Sequence, residues 1–413
     1  MIPFEKYTLD NGLQVILHTD KATPLAAVNI TYRVGSRNEH PHRTGFAHLF
    51  EHLMFGGSKH IPSYDKVLQA VGGENNAFTN TDITNYYLSL PVQNLETALW
   101  LEADRMNELA FSEESFNVQQ NVVMEEFKQS YLNQAYGDLM LLLKPLAYKV
   151  HPYQWNTIGK DIAHIAGASL DEVKDFFYKF YRPNNAILSV AGNINTEQTK
   201  TWIEKWFGDI PSGTYCPPAL PQEPPQTEAR SLEVVRKVPY DYLLIAFHSC
   251  QRNDEAFYAT DLLSDILSSG NSSRFQEILV NEKHIFTSIS TYLTGTFDKG
   301  LFIVNGIPAT GISLQAAEKA VWEILHELKS TSIDANELQK VKNKVNTLLY
   351  FSELSVQDKA LSLCLFEALD HAERMNKEVE NYQKVSIADI QHSACEIFRE
   401  ENSSTLYYKA AAN

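Results

Sequence analysis

The chain has 413 residues, of which 44% are hydrophobic, 21% charged and 11% aromatic, a balance that excludes a disordered chain, a collagen and a small disulfide scaffold. Thirty-five Lys and Arg against 51 Asp and Glu leave a formal net charge of −16, so the surface field repels phosphate backbones and argues against nucleic acid as a partner. No apolar run approaches the ~20 residues of a membrane-spanning helix, and a chain of this length divides into two or three domains.

Residues 6–18 alternate polar and apolar around Asn11-Gly12, a dipeptide that supplies the positive φ angles of a tight hairpin, so two antiparallel strands are expected to open the fold. A third strand is expected over 26–34. Helical periodicity follows at 44–56, 63–71, 92–109 and 112–134, with a strand at 84–90 between the second and third helices. Helices mixed with antiparallel strands make the class α+β. Residues 215–226, YCPPALPQEPPQ, hold five prolines, which fix φ and remove backbone donors and so predict a stiff, extended linker. The expected division is a first half over 1–214, a linker over 215–228 and a second half over 229–413.

An internal repeat supports that division. Ser169, Val173, Phe177, Phe180, Tyr181, Arg182 and Asn185 have counterparts 217 residues later in Ser386, Ile390, Ala394, Ile397, Phe398, Arg399 and Asn402. The halves therefore read as homologues, each a mostly antiparallel sheet with helices packed on it. Cys216, Cys250, Cys364 and Cys395 lie far apart with no C-x-x-C pair, the pattern of free thiols and not of a disulfide framework or thiolate metal site. The opening MIPFEKYTLDNG has no basic stretch followed by an apolar one. The expected compartment of the chain as given is the cytoplasm, or the periplasm if the chain is a processed form.

The segment Gly45–Gly57, GFAHLFEHLMFGG, contains His48, Glu51 and His52 as H-x-x-E-H. Positions i and i+4 share a helical face, so both imidazoles can reach one metal ion with Glu51 beside them. Two imidazoles and one oxygen ligand suit zinc with a fourth position open to water. The metal lowers that water's pKa to about 7, and Glu51 can take its proton for attack on a carbonyl. The third ligand is sought on helix 112–134, which opens with Ser112 as a cap and Glu113 and Glu114 in its first turn. Glu126 shares a face with Phe116 and Val123, and Glu125 follows Val122 by three residues, so both glutamates qualify. His40, His42 and His60 lack helical spacing with the motif and read as surface histidines. Glu102 shares a face with Leu95, Leu99 and Met106 and reads as a partly buried carboxylate in a salt bridge to a neighbouring Arg.

The motif, together with YRVGSRNEHPHRTG before it and GGENNAFTNTDITNYY, LWLEADRM and QQNVVMEEFKQSYLNQAYG after it, resembles the pitrilysin and insulinase family of inverted-motif zinc peptidases over most of residues 5–210. SSGNSSRFQEILVNEK in the second half is similar to the matching segment of half-size members such as the mitochondrial processing peptidase subunits. The resemblance implies one zinc per chain, with His48, His52 and Glu126 as ligands and Glu51 as general base. Many members carry an acid seven residues before the metal-binding glutamate; here Gln119 takes that place, able to hydrogen-bond a ligand without adding charge. The resemblance further implies that Asn76, Ala77, Phe78 and Thr79 form an edge strand on which an extended peptide or unfolded polypeptide adds by main-chain pairing.

One departure bears on activity. Many members have an Arg and, seven residues on, a Tyr in the second half that hold the substrate carbonyl; Asn281 and Ser288 stand in the matching segment, with Tyr292 as donor if the match shifts. Neither Asn nor Ser replaces such a pair, and an oxyanion donor is commonly worth ~10² to 10³ in rate. The expectation is a zinc-dependent endopeptidase acting as a dimer, with a related zinc-free subunit supplying the Arg and Tyr. The alternative is a catalytically silent assembly subunit with the same fold.

Overall fold

The Asn11-Gly12 turn closes a hairpin as its chemistry demands. Gly12 sits at φ +89, and β1 (Glu5–Thr8) pairs antiparallel with β2 (Gln14–Thr19). The Asn11 amide donates to Phe207 O at 2.7 Å and Ile210 O at 3.0 Å, tying the turn to a distant loop. The coordinates are a computed structural model describing residues 1–330 and 333–411.

Two compact units emerge. The first comprises Met1–Ser130, Trp155–Leu220 and Tyr350–Asn376. Its six-stranded sheet adds β3 (Leu25–Tyr32), β4 (Glu74–Thr79), β5 (Thr84–Pro91) and β6 (Ala186–Gly192) in the order β1-β2-β6-β3-β5-β4. Only β2 and β6 run parallel; β4 is an edge strand, paired on one side with β5 in the register Ala77 to Tyr86 and Thr79 to Thr84. Helices α1 (Phe46–Leu53), α2 (Tyr64–Ala70), α3 (Leu95–Asn107) and α4 (Glu113–Phe127) are among those of this unit, whereas α5 (Leu139–Ala147) falls in the second.

The second unit comprises Tyr131–Gln154, Pro221–Leu349 and Lys377–Asn413. Its strands β7 (Arg230–Arg236), β8 (Tyr242–His248), β9 (Phe286–Leu293), β10 (Leu301–Pro308) and β11 (Ser403–Ala410) stand in the order β7-β11-β8-β10-β9, with β7 and β11 parallel. This repeats the order β2-β6-β3-β5-β4 with the parallel pair in the same place. The repeat read from Ser169 and Ser386 is also structural: both residues cap helices through reciprocal capping boxes, over Leu170–Phe180 and Ile387–Ile397.

The compact units differ from the contiguous halves expected from the proline-rich stretch, although residues 211–227 do lack helix and strand. The central strands of both sheets are buried on both faces, as β6 and β8 show, so helices must cover both. Helix Val356–Leu369, from the second half of the sequence, belongs to the first unit. There Val356 and Ala360 pack on Ala27 and Ala191, and Leu363 and Cys364 on Ile16 and Ile187. Its repeat counterpart α5 belongs to the second unit, where Leu143 and Ala147 pack with Leu244, Ala246, Ile303 and Leu406. The halves have exchanged equivalent helices, which no local pattern announces.

The second unit has no copy of the histidine motif. At the repeat spacing from His48 and His52 come Asp265 and Ser269. Lys344, on helix Ala335–Ser352, reaches the Asp265 carboxylate at 3.2 Å and also contacts the Ser269 hydroxyl.

Candidate metal centre

Helix α1 turns Phe46, Ala47, Leu49, Phe50 and Leu53 inward. Phe50 packs its ring on Phe176, Phe177 and Tyr181 with centroids 5.4, 6.0 and 4.8 Å away. This aromatic anchoring fixes the helix rotation, and the opposite face carries His48, Glu51 and His52. The helix begins at Gly45, whose φ of +90 lies in the left-handed region. A Cβ there would meet Ile158 O and Ile165 Cδ1 at 2.6 Å, so both conformation and space require glycine.

Gly45 has no side chain with which to cap α1. The buried carboxylate of Glu39 does so instead, accepting from Gly45 N at 2.9 Å and from Ala47 N at 2.8 Å. Burial pushes the Glu39 pKa up to about 8, against the pull of the two amides and His48. Sequence reasoning missed this residue. The available signal was an acid six positions upstream of a glycine that opens a helix.

Helix α4 starts at Ser112, whose hydroxyl accepts from Ser115 N, and buries Phe116, Val123 and Phe127. The same rotation brings Glu126 toward α1: Glu126 Oε2 lies 3.1 Å from His48 Nε2 and 3.5 Å from His52 Nε2. Glu125, 59% exposed, instead pairs with Lys128 at 2.6 Å. Tertiary packing thus separates two adjacent glutamates that helical periodicity alone left open.

Donor atoms of His48, His52 and Glu126 all lie within 4.8 Å of one another. A tetrahedral zinc ion with ligand distances of ~2.1 Å holds its donors ~3.4 Å apart, close to the two carboxylate–imidazole separations. Two imidazoles and a carboxylate on half-buried positions of two helices therefore fit such an ion. Glu51 Oε2 lies 3.5 Å from His48 Nδ1, beside the three donors and not among them.

The electrostatics follow from this crowding. Burial disfavours a charged His48, yet Glu126 and Glu51 outweigh it and raise its pKa to about 9. Hydrogen bonds from His48 and His52 hold the Glu126 carboxyl far below the usual range. Burial works against an ionised Glu51, but the contact with His48, the nearby Thr79 hydroxyl and the charges of both histidines keep its pKa low. Glu51 is thus an ionised carboxylate, the form that accepts a proton.

Asn76, Ala77, Phe78 and Thr79 all lie on the edge strand β4. Asn76 is exposed, and the Thr79 hydroxyl is buried near Glu51. Gln119 is half-buried on α4; among the described residues it forms no hydrogen bond to the three donors. His40 and His42 are exposed. His60 is exposed as well, with its ring 2.6 Å from the buried Asp104. Glu102 forms the expected ion pair, with Arg105 at 2.6 Å. In the second unit Asn281 and Ser288 are exposed, the latter on β9, and the Tyr292 hydroxyl is 4.0 Å from Met140 Sδ.

Residues 14–156 match the family described as insulinase, peptidase family M16, and residues 167–345 match the description peptidase M16 inactive domain. Together the two matches span well over half of the chain. The zinc protease PqqE of Helicobacter pylori is 29% identical, covering 98% of this chain and 92% of the relative. A probable mitochondrial-processing peptidase subunit beta of Arabidopsis thaliana is 23% identical, covering 73% of this chain and 58% of that protein. The crystal structure of a protease from Helicobacter pylori matches with a TM-score of 0.94 at 28% identity, over 99% of this chain and 100% of that one. Among the described residues no helix is long and apolar enough to cross a membrane. The chain belongs to peptidase family M16, the pitrilysin and insulinase family, as a half-size member.

Proposed function

We propose that this chain is a zinc-dependent endopeptidase, or its catalytic subunit, that hydrolyses extended peptides. The observation that carries the reading is the convergence of His48, His52 and Glu126 from two helices onto one point, with Glu51 beside it. Zinc held there supplies a Lewis acid that polarises a water and the scissile carbonyl. Glu51 accepts the proton of the attacking water and delivers it to the leaving amine nitrogen. The outer side of β4 offers main-chain donors and acceptors along Asn76–Thr79, so a substrate adds as a further strand read mostly by backbone. That mode favours unfolded polypeptides of varied sequence.

The exposed Asn281 and Ser288 supply neither charge nor a phenol to the substrate carbonyl. A related subunit bearing an Arg and a Tyr completes the site in this reading, and the Arabidopsis relative, named as a beta subunit, supports a chain that works with a partner. The description of residues 167–345 as an inactive domain favours a second reading, a silent assembly subunit.

The test is cleavage of an unstructured fluorogenic peptide library by the zinc-loaded chain, alone and with candidate partner chains, against Glu51→Gln and with chelator. Activity lost in the variant and in chelator supports the peptidase. Full activity of the lone monomer sinks the two-subunit reading. One equivalent of bound zinc with no hydrolysis under any pairing favours the silent subunit.

A further inference from the structure

We propose that Glu39 is a positioning residue of the metal centre: it caps the first turn of α1 from outside the helix and so fixes the height and rotation at which His48 and His52 leave it. The inference rests on the zinc-peptidase reading and deepens it.

A helix start leaves its first backbone N–H groups without intrahelical partners, and an N-cap side chain usually takes one of them. α1 has only eight residues and a glycine at its N-cap, so it has few internal hydrogen bonds and no cap of its own. Glu39 uses both oxygens, one on Gly45 N and one on Ala47 N. Ala47 directly precedes His48, so fraying of this turn displaces the first ligand before any other residue of the motif.

The cap is itself anchored. Glu39 follows the turn Ser36–Asn38, whose Ser36 carbonyl accepts the indole N–H of Trp155 at 2.8 Å; Trp155 is fully buried. On the other side Gly159, at φ +101, lets the backbone approach Thr44 so closely that a Cβ would meet Thr44 O at 3.0 Å. Buried Trp155, the Ser36–Asn38 turn, Glu39 and the first turn of α1 form one chain of contacts ending at the metal ligands. Groups that orient metal ligands commonly set 10- to 100-fold in affinity or activity.

Glu39→Gln keeps one acceptor but turns an NH₂ toward a backbone N–H; Glu39→Asp keeps both carboxyl oxygens and falls one carbon short. Both are compared with the native chain by chelator competition for zinc, by the visible spectrum of the cobalt(II)-loaded protein and by the split between kcat and KM. Glu39→Gln is expected to bind zinc ~10- to 100-fold more weakly, with an altered cobalt spectrum and a lower kcat at unchanged KM. Glu39→Asp should fall between Glu39→Gln and native. A native spectrum, affinity within twofold and native kcat in Glu39→Gln, whatever its melting temperature, would overturn the proposal and leave Glu39 a stability cap. If Glu39→Gln does not fold, the same criteria apply to Glu39→Asp. A native chain that takes up neither zinc nor cobalt instead removes the zinc reading itself, a failure seen before any variant is made.

Discussion

Replacing Glu102 by Ala tests how the first unit is held together behind its candidate metal centre. Glu102 and Arg105 are each 1% exposed. The guanidinium meets the carboxylate at 2.9 and 2.6 Å, and the Tyr64 hydroxyl donates to the same carboxylate at 2.5 Å. The Arg105 Cζ also lies 4.6 and 4.4 Å from the ring centroids of Tyr64 and Tyr86, and the Tyr86 hydroxyl approaches the α1 carbonyl of Phe50. Removing the carboxylate strands a buried cation, at ~3–5 kcal/mol, and deprives the tyrosine of its acceptor, at ~1–3 kcal/mol. These costs overlap, so about 4–6 kcal/mol is expected in total. For a unit of roughly 220 residues that corresponds to a fall of ~8–24 °C in Tm at ~2–4 °C per kcal/mol. Four of the tryptophans (Trp100, Trp155, Trp202 and Trp206) lie in the first unit, so a fluorescence melt follows it. The paired change Glu102→Leu with Arg105→Met should recover most of the loss, because an apolar pair of similar volume is close to neutral against a buried ion pair. A Glu102→Ala melt within 3 °C of native, or a paired variant no better than the single one, would refute the reasoning.

Gly45→Ala forces a Cβ onto a residue at φ +90 and against Ile158 O; the left-handed conformation alone costs ~1–2 kcal/mol. It should lower both Tm and the zinc bound per chain, and unchanged metal content at native Tm would contradict the packing described for the start of α1. Thiol labelling followed by mass spectrometry should find Cys216 and Cys395, both exposed, reactive, while Cys364, buried with its pKa pushed up to about 12, stays unlabelled in the folded chain. Because the thiolate is the nucleophile, raising the pH from 7 to 9 should leave Cys364 untouched. Labelling of Cys364 below pH 9 without unfolding would show that its site under helix Val356–Leu369 opens.

Local readings from the sequence held where the cause was local. Asn11-Gly12 closes a hairpin because the turn needs positive φ within two residues. The helices appear where the apolar period placed them, since a 3.6-residue repeat needs no knowledge of the partner surface. His48, Glu51 and His52 share a face for the same reason, and the Glu102 to Arg105 pair lies within one turn of α3. The repeat also survived at the level of sheet order, because corresponding strands carry corresponding patterns.

What the sequence by itself determined is therefore the elements, the duplication, the face of α1 that carries His48, Glu51 and His52 and, through its motifs, the family. Periodicity alone did not separate Glu125 from Glu126; the resemblance implied Glu126, and the rotation of α4 as it packs on α1 is what turns that residue to the histidines. Tertiary structure also decided that Glu39 caps α1 and that helices Leu139–Ala147 and Val356–Leu369 cover each other's sheets. Period and turn chemistry act over a few residues and leave a signature in the chain. An apolar face is indifferent to which apolar face it meets, so its partner is chosen only by where the backbone can bring it.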